Sequence, residues 1–83
     1  MTNSEIKSLL ISELNLQEVY VSGENNHFEI IAVDEKFKNL TSLEKQQIIY
    51  KPLVSFILNK KIHAVSIRTY TPSEWVKYCE INR

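Results

Sequence analysis

Three side chains in this 83-residue sequence are of types that ligate soft or borderline metals: His27, His63 and Cys79. A closed site of that kind needs about four imidazole or thiolate ligands. With two histidines and one cysteine in all, the chain can supply only part of such a site, and a second molecule must bring the rest. Each candidate also has an ordinary reading. A histidine at a strand start is commonly a surface or hydrogen-bonded residue, and Cys79 in a terminal helix fits a packed or partly exposed thiol.

Other chemistries find less to work with. The ten carboxylates are scattered through charged, surface-type positions. One glycine cannot make a GxGxxG or P-loop phosphate cradle, which argues against nucleotide-dependent catalysis. No nucleophile with a base and an orienting partner can be assembled from the residue types present, so the chain is expected not to be an enzyme. Tyr70 and Trp75 can stack on nucleic-acid bases or pack locally against each other.

The formal net charge is zero, which disfavours a nucleic-acid-coating role. The charges are nevertheless unevenly spread. Residues 1–35 carry one base against seven acids, a formal −6, and residues 36–83 carry nine bases against three acids, a formal +6. Such asymmetry points to an interaction surface, unless folding interleaves the two halves.

The length fits one small domain spanning residues 1–83, with little room for a deep pocket of its own. A hydrophobic content of 43% and charged content of 24% suit a folded globule. One cysteine excludes an internal disulfide scaffold and fits a reducing compartment. No run approaches the roughly 20 apolar residues that cross a bilayer, and the start MTNSEIKSLL lacks a basic flank before an apolar run. A cytoplasmic location with no membrane association is the expectation.

The elements that must position the candidates follow from local signals. Thr2 and Glu5 have capping-box spacing, Met1 and Ile6 can staple across that cap, and Ile6, Leu9, Leu10 and Leu14 share one helical face. Glu18 to Ser22 and His27 to Val33 read as a β-hairpin around Gly23, Glu24, Asn25 and Asn26. Asp34 to Leu40 is charged and aperiodic and reads as a loop. Thr41 and Glu44 repeat the capping-box spacing and open a long helix to about Asn59, bent near Tyr50 because Pro52 removes one intrahelical bond. Lys60 and Lys61 suit its C-terminus. A third strand runs from Ile62 to about Thr69. Thr71, Pro72 and Glu74 then start the last helix, with Tyr70 and Trp75 placed as its staple.

The order is α-β-β-α-β-α, an α+β layer with a three-stranded sheet burying one face under helices. Neither the edge that the third strand joins nor its direction follows from the order.

Three segments read together resemble the BolA family: His27-Phe28-Glu29-Ile30-Ile31-Ala32-Val33, Gln46-Gln47-Ile48-Ile49-Tyr50-Lys51-Pro52-Leu53, and Ile62 through Trp75 with its Ile-His-Ala and Tyr-Thr-Pro-Ser-Glu-Trp motifs. The resemblance is strongest to the short bacterial IbaG/YrbA branch and covers residues 3 to 78. It implies a fold similar to the class II KH domain. It also implies pairing with a monothiol glutaredoxin and a shared [2Fe-2S] cluster, in which the glutaredoxin cysteine and glutathione bring thiolates. The histidine ligand near the start of the last strand carries over to His63. A second ligand comes from the hairpin region, where His27 stands.

Neutral imidazoles on one iron lower the negative charge and raise the reduction potential, as in Rieske-type centres. They must lose a proton to bind, so assembly should weaken below about pH 6. The family also includes proposed transcriptional regulators, which makes DNA the alternative partner. A GXXG clamp cannot exist with one glycine. Lys36, Lys38, Lys45, Lys51, Lys60, Lys61 and Arg68 would then serve as salt-dependent phosphate contacts without specificity. A weak homodimer of the apo chain is also compatible with the sequence.

Overall fold

The computed structural model describes residues 1–82. Helix α1 covers Asn3–Leu14, and its start is the expected capping box. The Thr2 hydroxyl accepts from the Glu5 N–H at 3.1 Å, and the Glu5 carboxylate accepts from the Thr2 N–H at 2.8 Å. These two bonds satisfy donors that a helix N-terminus otherwise leaves unpaired. Asn15 ends the helix in the left-handed region, at φ 51°. Ile6 and Leu10 on its inner face are fully buried, and Met1 packs against the same core.

Strands β1 (Glu18–Glu24) and β2 (His27–Val33) form the hairpin, antiparallel and in register from Glu18 opposite Val33 to Glu24 opposite His27. Asn25 and Asn26 close it with φ of 55° and 62°. Two left-handed residues in a two-residue turn match the right-handed twist of the flanking strands, and asparagine tolerates that region better than most side chains. Strand β3 (Ala64–Tyr70) lies beside β2 and parallel to it, giving the order β1-β2-β3. A parallel neighbour needs a long crossover, and residues 34–63 provide it.

The crossover differs from its sequence reading in two places. The segment Asp34 to Leu40 is not a plain loop. The Asp34 carboxylate accepts from the Lys36 N–H at 2.8 Å and caps a 3-10 turn at Glu35–Phe37, which drives the Phe37 ring into the core. The charged residues around Phe37 hide this anchor from a periodicity argument. The single long helix is instead divided into α2 (Ser42–Tyr50), a 3-10 turn (Lys51–Leu53) and α3 (Val54–Leu58). Pro52 has no N–H to give to the preceding turn, so the backbone tightens there rather than simply bending. Leu53 in that turn is fully buried, which ties the break to the core. Lys60 ends the segment at φ 66°, with the Lys61 and Ile62 N–H groups both donating to the Phe56 carbonyl.

Helix α4 (Pro72–Ile81) starts with the third capping box, between Thr71 and Glu74. Alternation along the strands separates the two faces of the sheet. Val19, Phe28, Ile30 and Ala32 are buried on the face that α1, α2 and α3 cover. Trp75 of α4 stacks on Tyr20, which points the other way, with ring centroids 5.3 Å apart. The helices therefore flank both faces, not one. The Tyr70–Trp75 staple is present at 5.3 Å, extended by Tyr20 and Tyr78 into a four-ring cluster.

Candidate half-site for a shared metal centre

His27 is the first residue of β2, and His63 immediately precedes β3. The parallel register puts His27 opposite Ala64, so the two histidines meet at one end of the sheet. Their imidazoles stack with centroids 4.7 Å apart and planes 17° from parallel. Both residues are exposed. The β3 entry is held to the hairpin by one atom: the Asn26 carbonyl accepts from the His63 N–H at 2.8 Å and from the Ala64 N–H at 3.2 Å. Asn26 thus does more than close the turn. Its left-handed preference was legible, but its role as acceptor for a distant strand was not.

Cys79 is not part of this group. It lies exposed on α4, within electrostatic reach of Tyr20. Tyr20 sits opposite Ile31, four residues along β2 from His27, a separation of about 13 Å at ordinary strand rise. Among the described residues, no group of three or more His, Cys, Asp or Glu side chains could hold a metal ion. The donor set is thus two adjacent imidazoles open to solvent, which suits half of a shared centre and cannot close a site alone.

The basic candidates are spread over several elements, although Lys38 and Lys45 line one shallow hollow. Arg68 shares the sheet face opposite to Val65 and Ile67 and reaches the Tyr78 hydroxyl at 3.4 Å. Lys36 donates to the Leu14 carbonyl at the end of α1. Lys61 helps to hold the Glu5 carboxyl below its ordinary pKa of 4.5, after the larger effect of the Thr2 backbone N–H. Lys45 contributes in the same direction at Glu74, behind the hydrogen bond from the Thr71 backbone. Lys38, Lys51 and Lys60 are exposed on the crossover. Of these contacts, only that of Lys61 with Glu5 joins a base of the second half to an acid of the first. Tyr70 and Trp75 are occupied by ring-on-ring packing, which favours their structural reading.

With the geometry in view, a family model described as BolA-like protein matches residues 6–74. The chain belongs to the BolA family. It is 49% identical to the acid stress protein IbaG of Escherichia coli strain K12 over 82 residues, covering 99% of this chain and 98% of that one, which supports the short bacterial IbaG branch. A BolA protein homologue from Coxiella burnetii superimposes with a TM-score of 0.70 at 32% identity, covering 90% of this chain and 96% of the other. The BolA domain of SufE1 from Arabidopsis thaliana gives a TM-score of 0.71 at 26% identity, over 87% and 93% of the two chains. Neither the family match nor the IbaG relative indicates a catalytic family. Among the described residues, no helix is long and apolar enough to cross a membrane.

Proposed function

We propose that this chain is the non-enzymatic partner of a monothiol glutaredoxin and shares a [2Fe-2S] cluster with it for cluster transfer, maturation or iron sensing. The carrying observation is the pairing of His27 and His63, two exposed imidazoles 4.7 Å apart at one end of the sheet. Two such ligands can complete the coordination of one iron, while the glutaredoxin cysteine and glutathione supply thiolates to the other. Bound in this way, the cluster would offer iron and sulfide that can be handed on, at a potential raised by the neutral ligands.

The role of this chain's own residues is presentation. β2 and the β3 entry hold the two rings at the surface, and solvent access lets a partner approach both. A ligating imidazole must be unprotonated, so protons compete with the metal. The similarity to a protein named for acid stress fits a site with that property. A cytoplasmic, reducing setting fits the single exposed cysteine and the need for free thiolates on the partner.

The test is co-expression with a monothiol glutaredoxin, followed by visible absorption and circular dichroism of the purified complex with glutathione. His63→Ala should abolish the mixed-ligand spectrum, and His27→Ala should alter it. Glutaredoxin binding and a cluster spectrum that depend on neither histidine would overturn the proposal and leave a purely structural adaptor.

A further inference from the structure

Ligating histidines are usually oriented by a hydrogen bond from their second ring nitrogen to a neighbouring group. Among the described residues, neither His27 nor His63 makes a side-chain hydrogen bond. What fixes their relative position is backbone. Gly23 has φ 137°, a conformation that L side chains rarely adopt. A Cβ built there would lie 2.1 Å from the His27 carbonyl oxygen and 2.9 Å from the Phe28 Cα. Both obstructing atoms belong to the β-ladder, so a side chain at position 23 must displace the backbone of His27. Three residues on, Asn26 at φ 62° turns its carbonyl toward β3 and takes the N–H groups of His63 and Ala64. The last residues of β1 thus locate His27, and the turn residue Asn26 locates His63.

We infer that the closed end of the hairpin, residues 23–26, is a positioning device for the imidazole pair, with Gly23 of β1 setting His27 and the Asn26 carbonyl setting His63. Its purpose rests on the ligand reading of the two histidines, whereas its existence rests on backbone geometry alone. The positioning residues touch no metal and act through the strand ends.

The experiment compares Gly23→Ala, Asn26→Val and Asn26→Gly by NMR in the free protein, with the amide spectrum reporting the fold and the nuclear Overhauser contact between the two imidazoles reporting their stack. Gly23→Ala and Asn26→Val should keep a folded amide spectrum and lose the inter-ring contact. Asn26→Gly retains both the left-handed backbone and the carbonyl, and should retain the contact. Should Gly23→Ala fail to fold, Asn26→Val against Asn26→Gly decides the matter. An unchanged inter-ring contact in folded Gly23→Ala and Asn26→Val overturns the inference. With glutaredoxin, glutathione and iron, the yield of mixed-ligand complex from Gly23→Ala should fall to that of His27→Ala. Loss of the inter-ring contact with a wild-type cluster spectrum would uphold the positioning and instead overturn the ligand role of His27.

Discussion

The imidazoles of His27 and His63 lie face to face, 4.7 Å between ring centroids, although a 3-10 turn, two short helices and a second 3-10 turn separate them in sequence. Parallel pairing of β2 with β3 creates this neighbourhood, because it brings the starts of both strands to the same end of the sheet. An antiparallel third strand would have carried His63 to the far end.

Because both rings are exposed and make no side-chain hydrogen bond among the described residues, removing either should cost little in stability. His27→Ala and His63→Ala are expected to shift the unfolding free energy by no more than about 0.5 kcal/mol, as for surface substitutions generally. Urea unfolding of the free variants checks this. A loss of several kcal/mol would mean that the histidines serve the fold.

Three helices start with the same reciprocal cap, at Thr2/Glu5, Thr41/Glu44 and Thr71/Glu74. Thr71→Ala should cost about 1 kcal/mol, the usual effect of losing an N-cap hydroxyl. The Glu5, Glu44 and Glu74 carboxyls are all held below their ordinary value of 4.5, first of all by the backbone N–H of the capping threonine. A carboxyl with a depressed folded pKa stabilises the fold above its unfolded value, and that stabilisation is lost as pH falls through the folded one. Stability should therefore decline as the pH drops below about 4.5. The triple variant Glu5→Gln, Glu44→Gln, Glu74→Gln keeps the capping geometry and removes the titration. Its urea midpoint should change less between pH 5 and pH 3 than that of the parent, and an identical decline would sink the assignment.

Phe37 is 1% exposed although it stands in the charged segment EKFK. Phe37→Ala should destabilise the protein by about 3 to 5 kcal/mol, since the ring fills core space that the short 3-10 turn cannot close. A chemical denaturation curve within 1 kcal/mol of the parent, a margin below the usual cost of about 3 for such a change, would contradict its role as the anchor of the crossover.

The dispersed bases carry an expectation about DNA. With Arg68 on one side of the sheet, Lys45 on the helical crossover and Lys36 bonded to the end of α1, duplex binding should be weak and without sequence preference. It should also fall steeply between low and physiological salt. Fluorescence anisotropy with two unrelated duplexes at two salt concentrations tests this, and salt-insensitive, sequence-selective binding would contradict it.

Much of the architecture was legible because it is written in local chemistry. The threonine-glutamate pairs mark three helix starts, the Gly and Asn residues mark the hairpin turn, and Tyr70 and Trp75 sit at staple spacing. Phe37 and the Pro52 break were less legible for a common reason. Each is decided by what the backbone can bury or bond at one point, which residue periodicity does not record. Two rings of the cluster around Trp75 were not legible as such: Tyr20 reaches it from a strand distant in sequence, and Tyr78 joins it from the next turn of α4.

The sequence by itself determined that this chain has too few imidazole and thiolate groups for a closed site of that kind, and which residues remain to share one. It also determined the helix starts and the hairpin, through hydrogen bonds and backbone preferences within a few residues. Only the tertiary structure decided that β3 joins β2 in parallel and that α4 takes the opposite face. Those outcomes depend on contacts between distant segments, whose energies come from burial and strand pairing. The same pairing turned two isolated histidines into neighbours, with Cys79 left elsewhere on α4.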